Sequence, residues 1–149
     1  MPTASMPPAH VIIVEDNEAL REAMAEHLMD EGYLVRAVAD GATLDQALHE
    51  AMADVLILDI NLPIEDGYTI SKRIRASFPT IGIMILSARV QTRDTQSQGQ
   101  ASDMQLAKPL APQVLSEAIR HLCQLAASRR LQIRPAGGPQ PKCPQPKVG

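Results

Sequence analysis

The sequence predicts an open α/β fold: a parallel, five-stranded sheet wound on both sides by helices. Val55-Leu56-Ile57-Leu58 is an unbroken run of large aliphatic residues between Asp54 and Asp59. Such a run, without polar alternation, marks a strand buried on both faces. Comparable runs recur at His10 to Val14 and at Ile81 to Leu86. Between the runs, apolar residues fall at helical spacing, so strand and helix alternate along the chain and right-handed crossovers bring the strands parallel.

In order, residues 1 to 9 read as a disordered lead and His10-Val11-Ile12-Ile13-Val14 as the first strand, ending in Glu15-Asp16-Asn17. Leu20, Ala23, Met24 and Leu28 make the buried stripe of a helix, with Gly32 as its stop. Leu34 to Val38 is a shorter strand and Asp40-Gly41 a turn; Leu44, Ala47, Leu48 and Ala51 form the stripe of a second helix. The strand that ends in Asp59 follows, then Asn61-Leu62-Pro63 and a helix from Gly67 to Ser77 with Ile70 and Ile74 on one face. Phe78-Pro79 ends it, because the residue before proline is pushed out of the α region. Ile81 to Leu86 is the fourth strand, closing on Ser87-Ala88. A helix over 89–100 has little to bury, Val90 being its one large apolar residue. Gln105-Leu106-Ala107 is a short fifth strand before Lys108-Pro109, and Pro112 to Leu131 a long last helix, where Arg129 and Arg130 suit the negative pole of the helix dipole. Residues 132 to 149 hold five prolines and three glycines, the composition of a disordered tail or the start of a linker.

The 149 residues suit one domain, spanning residues 10 to 131. Cys123 and Cys143 lie in a helix and in the tail, which indicates neither a disulfide framework nor a zinc cluster and fits a reducing cytoplasm. No apolar run approaches the roughly 20 residues that span a bilayer, and the N-terminus lacks a charged signal start, so a soluble, unexported protein is expected. All 17 acids fall between residues 10 and 131, against 11 Lys and Arg. A domain so acidic is a poor binder of nucleic acid by itself.

In the strand order 2-1-3-4-5, the flavodoxin-like arrangement, the first and third strands meet at the switch point, where open α/β sheets bind ligands. Glu15, Asp16 and Asp59 then converge. Crowded carboxylates call for a hard divalent cation with oxygen ligands, Mg²⁺ first among them. Ser87 and Lys108, at the ends of the fourth and fifth strands, add a hydroxyl and a fixed positive charge to the same crevice. The result is a phosphoryl pocket, with Asp59 as a nucleophile that forms an aspartyl-phosphate and with Lys108 and Ser87 stabilising the transferred oxygens.

These residues also carry a family resemblance. Ile13-Val14-Glu15-Asp16-Asn17, Leu58-Asp59-Ile60-Asn61-Leu62-Pro63, Asp66-Gly67, Leu86-Ser87-Ala88 and Lys108-Pro109 stand in the order and spacing of the receiver domain of bacterial two-component response regulators, and the chain from Val11 to about Leu131 resembles it. The resemblance implies phosphoryl transfer to Asp59 from a sensor histidine kinase or phosphotransfer protein. It implies Mg²⁺ on Asp16, Asp59 and the backbone carbonyl of Asn61, with Glu15 assisting through water. It makes Ser87 the switch hydroxyl and Lys108 the phosphoryl contact, in a domain that assists its own phosphorylation and dephosphorylation without being an enzyme; two outputs stay open, transcriptional regulation through a domain not present here and a stand-alone receiver. Two departures stand out: Gln105 replaces the aromatic usual three residues before the lysine, and Ala101 replaces a usual glycine. Gln105 and the thin helix over 89–100 motivate an alternative, a receiver-fold interaction module insensitive to phosphorylation. A haloacid-dehalogenase-like phosphatase is more remote, since it needs a second Asp where this chain has Asn61.

Charged pairs that many family members use to dimerise are replaced by Met104, Val114 and Ala118. The last helix carries one apolar stripe over Leu115, Ile119, Leu122 and Ala126 and another over Val114, Ala118 and Leu125. The second stripe is either part of a broad core face or, with Met104, a hydrophobic contact for a partner or a second copy.

Overall fold

The computed structural model describes residues 8–62, 64–87 and 102–137, of which 133–137 by backbone alone. The expected lead as far as residue 7, Ala88, the weak helix over 89–100, Ala101 and the tail from 138 lie outside the described residues.

The strands are β1 (His10–Val14), β2 (Leu34–Val38), β3 (Val55–Asp59), β4 (Gly82–Ser87) and β5 (Met104–Ala107), and the helices are α1 (Glu18–Asp30), α2 (Gly41–Glu50), α3 (Gly67–Ser77) and α4 (Pro112–Gly137). All strand pairs are parallel, in the order β2-β1-β3-β4-β5. The aliphatic runs become the inner strands because both faces are covered. Ile12, Val14, Leu56, Leu58, Ile83 and Ile85 face the layer that contains α2 and α3. Val11, Ile13, Val55, Ile57, Met84 and Leu86 face α1 and α4. The alternation of side chains along a strand thus divides each run between two cores.

The helix starts are written in the sequence. Asn17, Asp40 and Asp66 stand at the N-caps of α1, α2 and α3, each accepting a backbone N–H from three residues on. Gly32, at φ 100°, takes the left-handed conformation that ends α1.

Several expectations are corrected. On α1 the buried face is Met24, Ala25 and Leu28, and Ala23 is exposed; the stripe is turned toward half-buried Arg21, which reaches back to the Glu15 carbonyl. Ala51 is exposed because α2 ends at Glu50 and its neighbour only caps it. The helix α4 runs past Leu131 to Gly137 and takes in Pro135, so the Pro/Gly-rich composition from residue 132 does not mark its end. Arg129 and Arg130 therefore do not sit in its last turn; Arg129 binds Asp103 and the Ile81 carbonyl, and Arg130 binds Asp54. The second stripe of α4 is divided between core and surface. Ala118 is 6% exposed in the core beside Leu115 and Ile119, and Leu125 and Met104 pack against that core, which leaves Val114 exposed. Ala118 thus belongs to the core face of the helix, while Met104 and Leu125 are half-buried at its edge. Among the described residues, no helix is long and apolar enough to cross a membrane.

Candidate functional site

The register of the sheet builds the site. β1 pairs with β3 from Val11↔Val55 to Val14↔Leu58, so one residue further Glu15 comes level with Asp59. Asp59 pairs with Leu86 on β4, which places Ser87 one residue beyond it, and Ser87 pairs with Ala107 on β5. Lys108 follows, and its backbone N–H donates to the Ser87 carbonyl at 2.8 Å. Four strands thus deliver their terminal residues to one end of the sheet.

Glu15 and Asp59 are 1% and 3% exposed, while Asp16 is exposed. One carboxylate oxygen from each of the three lies within 4.8 Å of the others. Lys108 reaches across them: its Nζ is 3.1 Å from Asp59 Oδ1, which accepts a hydrogen bond, and 3.0 Å from Glu15 Oε1. The second approach is an ion pair, and buried Glu15 Oε1 accepts no hydrogen bond. Asn17 N–H donates to the other oxygen, Glu15 Oε2, at 3.2 Å.

The electrostatics follow from this burial. Desolvation pushes the Glu15 carboxyl above its ordinary value, against the pull of Lys108 and the Asn17 amide. Burial alone would depress the Lys108 ammonium, but the close approach of the Glu15 and Asp59 carboxylates holds it above its ordinary value. One cation thus stands against three clustered acids.

The group fits a hard divalent cation on two grounds: its donors are all carboxylate oxygens, and one of them is buried without a hydrogen bond. Asn61 lies two residues past Asp59, its N–H donating to Asp59 Oδ1 at 3.2 Å. Ser87 is buried at the end of β4. All of the expected site residues therefore meet at the carboxyl ends of β1, β3, β4 and β5. Gln105, on β5, accepts a hydrogen bond from the Tyr68 hydroxyl at 3.3 Å, so the place of the missing aromatic is tied to the start of α3.

Sequence reasoning missed Arg21, whose Nη1 donates to the Glu15 carbonyl at 2.8 Å and fixes the turn that carries Glu15 and Asp16. It also missed Glu65 and Arg73, which pair beside the Asp59 loop. Nothing in a lone arginine on a helix reveals which carbonyl or carboxylate it will reach.

Known proteins are similar to this chain. The chain is 29% identical over 128 residues to the transcriptional regulatory protein TctD of Salmonella typhimurium, covering 85% of this chain and 57% of TctD. To the virulence transcriptional regulatory protein PhoP of Salmonella typhi it is 37% identical over 84 residues, 56% of this chain and 38% of PhoP. This chain thus spans less than two thirds of the length of these relatives. A crystal structure of a putative response regulator from Chloroflexus aurantiacus superimposes with a TM-score of 0.72 at 32% identity, covering 78% of this chain and 98% of that one. Residues 11–120 match the family pattern of the response regulator receiver domain. With that match laid over the acids and the lysine at the strand ends, the chain belongs to the receiver domain family of two-component response regulators.

Proposed function

We propose that the domain is a phosphoacceptor switch, with Asp59 receiving a phosphoryl group from the phosphohistidine of a sensor histidine kinase or a phosphotransfer protein. The observation that carries this reading is the meeting of Glu15, Asp16 and Asp59 under the Lys108 ammonium. An Asp59 carboxylate oxygen attacks phosphorus and the phosphorus–nitrogen bond breaks. The bond's electron pair stays on the imidazole, which takes up a proton, and Asp59 becomes an acyl phosphate. Lys108 offers its charge to the transferred oxygens and Ser87 its hydroxyl. Asp16, Asp59 and the backbone carbonyl of Asn61 would hold Mg²⁺, with Glu15 acting through water. When bound, the ion supplies charge neutralisation at the phosphoryl oxygens.

The domain on this reading is not an enzyme acting on external substrates, since Asn61 stands where an aspartyl-phosphate phosphatase places its acid/base. It works in the cytoplasm, and its output is transcriptional regulation through a domain other than this one, as the names of TctD and PhoP suggest. Incubation with acetyl phosphate and Mg²⁺ tests the assignment by intact mass: wild type gains one phosphoryl adduct and Asp59→Asn gains none. An adduct that survives the substitution overturns it.

A second reading, an interaction module insensitive to phosphorylation, is favoured by Gln105 and its hydrogen bond from Tyr68. Beryllofluoride separates the two. A switch changes the amide signals of β5 and α4 on titration, whereas a silent module changes only those of the crevice.

A further inference from the structure

The loop from Ile60 to Asp66 carries Asn61 from the end of β3 to the start of α3, and its two limbs are held differently. Backbone contacts fix the inner limb. Ile60 N–H donates to the Leu86 carbonyl at 2.9 Å, Asn61 N–H to Asp59 Oδ1 at 3.2 Å, and Gly67 N–H to the Ile60 carbonyl at 3.1 Å. Ile60 and Leu62 also pack against the core, whereas Ile64 beyond them is 90% exposed.

What reaches the outer limb is Arg73 of α3. Its Nε donates to Glu65 Oε2 at 2.9 Å and its Nη2 to Glu65 Oε1 at 2.9 Å, a two-pronged grip that fixes the plane of the carboxylate as well as its position. Its Nη1 donates to Asp45 Oδ1 on α2 at 2.6 Å. Gly41, the first residue of α2, leaves room for the pair: a Cβ there would stand 2.9 Å from Glu65 Oε1 and 3.4 Å from Arg73 Nη2. The hydrogen bonds it donates to Glu65 and Asp45 hold the Arg73 guanidinium well above its ordinary range, so the grip stays charged.

We infer that Arg73 is a positioning residue for the crevice: by clamping Glu65 against α2 and α3 it fixes the loop that presents Asn61 beside Asp59, and so sets the affinity of the crevice for a divalent cation. The inference rests on the cation-binding reading of Glu15, Asp16 and Asp59. Partly exposed ion pairs contribute little to global stability, so the effect belongs in the loop and in cation affinity, not in the unfolding transition.

The test compares wild type with Arg73→Gln, Arg73→Lys and Asp45→Asn by Mg²⁺ calorimetry, native-state amide exchange and urea unfolding. Arg73→Gln weakens Mg²⁺ binding about 3- to 10-fold, less than loss of a direct ligand partner. It speeds exchange at Asn61 and Gly67 by about 10-fold or more while the amides of β1, β3 and β4 keep their rates. Arg73→Lys, which keeps the charge but loses the fork, recovers part of the affinity, and Asp45→Asn shows a smaller change in the same sense. Wild-type Mg²⁺ affinity and loop exchange in Arg73→Gln overturn the inference. So does faster exchange spread evenly over the sheet with a matching fall in the urea midpoint. Should wild type bind no Mg²⁺, the cation reading itself fails, and the Asn61 and Gly67 exchange rates alone then decide whether Arg73 clamps the loop.

Discussion

At the scale of single residues, the site is a balance between three acids and one lysine. Buried Glu15 and Asp59 share the Lys108 ammonium, and Asp16 stands at the rim without a charge partner among the described ion pairs. Like charges at this separation, partly in water, repel by on the order of 1 kcal/mol. Asp16→Asn is therefore expected to raise the melting temperature in EDTA by about 2–4 °C, and to abolish the rise that Mg²⁺ produces in wild type. Differential scanning fluorimetry with and without Mg²⁺ checks both halves; equal Mg²⁺ responses in the two proteins would remove Asp16 from the ligand set. The other reactive group is quiet: burial pushes the Cys123 thiol up to about 11, which suits a structural cysteine.

At the scale of elements, the junction between β3 and α3 has no spare space. A Cβ at Gly67 would meet the Asp59 carbonyl oxygen at 2.8 Å and Ile60 Cα at 2.9 Å, both backbone atoms that cannot rotate aside. Gly67→Ala must push α3 away from the strand end, costing about 1–3 kcal/mol as overpacking does. Because the displaced backbone is that of Asp59 and Ile60, phosphorylation by acetyl phosphate slows along with the loss of stability. A urea midpoint within error of wild type would show that the junction yields more readily than its contacts indicate. Gly67 was legible in the sequence as part of Asp66-Gly67, yet the reason for it was not, since the contact is made only when the loop folds back on Asp59.

At the scale of the whole molecule, Asp103 ties the two helical layers together through the sheet. It precedes β5 and accepts from Arg75 of α3 at 2.8 Å, from Arg129 of α4 and from the Ile83 N–H at 2.9 Å, while its own N–H donates to the Ile83 carbonyl at 2.8 Å. Arg75 and Arg129 also share the Ile81 carbonyl. Burial alone would raise the Asp103 carboxyl, but the Arg129 and Ile83 hydrogen bonds and the two guanidinium charges bring it below its ordinary 3.8. A depressed carboxyl stabilises the fold fully above the unfolded value and loses that contribution as pH falls through the folded one. Asp103→Asn should thus cost on the order of 2–4 kcal/mol at neutral pH, as breaking a largely buried pair does. It should also flatten the decline of stability below about pH 4. Urea midpoints from pH 2 to 7 test this, and parallel profiles for mutant and wild type would count against Asp103 as the source of the acid limb.

The sequence by itself determined the strands and the residues that end them, while the order 2-1-3-4-5 entered as the flavodoxin-like arrangement and is seen in the structure. Aliphatic runs can be buried only between two helical layers, and residues that finish neighbouring parallel strands meet wherever the strands do. Lys108 and Asp59 are 49 positions apart, yet their meeting was legible because each ends a strand. Only the tertiary structure decided which way the helices turn and which charges pair. Apolar spacing leaves the rotation of a helix uncertain by about one residue, which is how Ala25 came to be buried in place of Ala23 and how Ala118 joined the core. A long charged side chain can reach many partners, so Arg73 on Glu65 and Arg129 on Asp103 follow from packing alone.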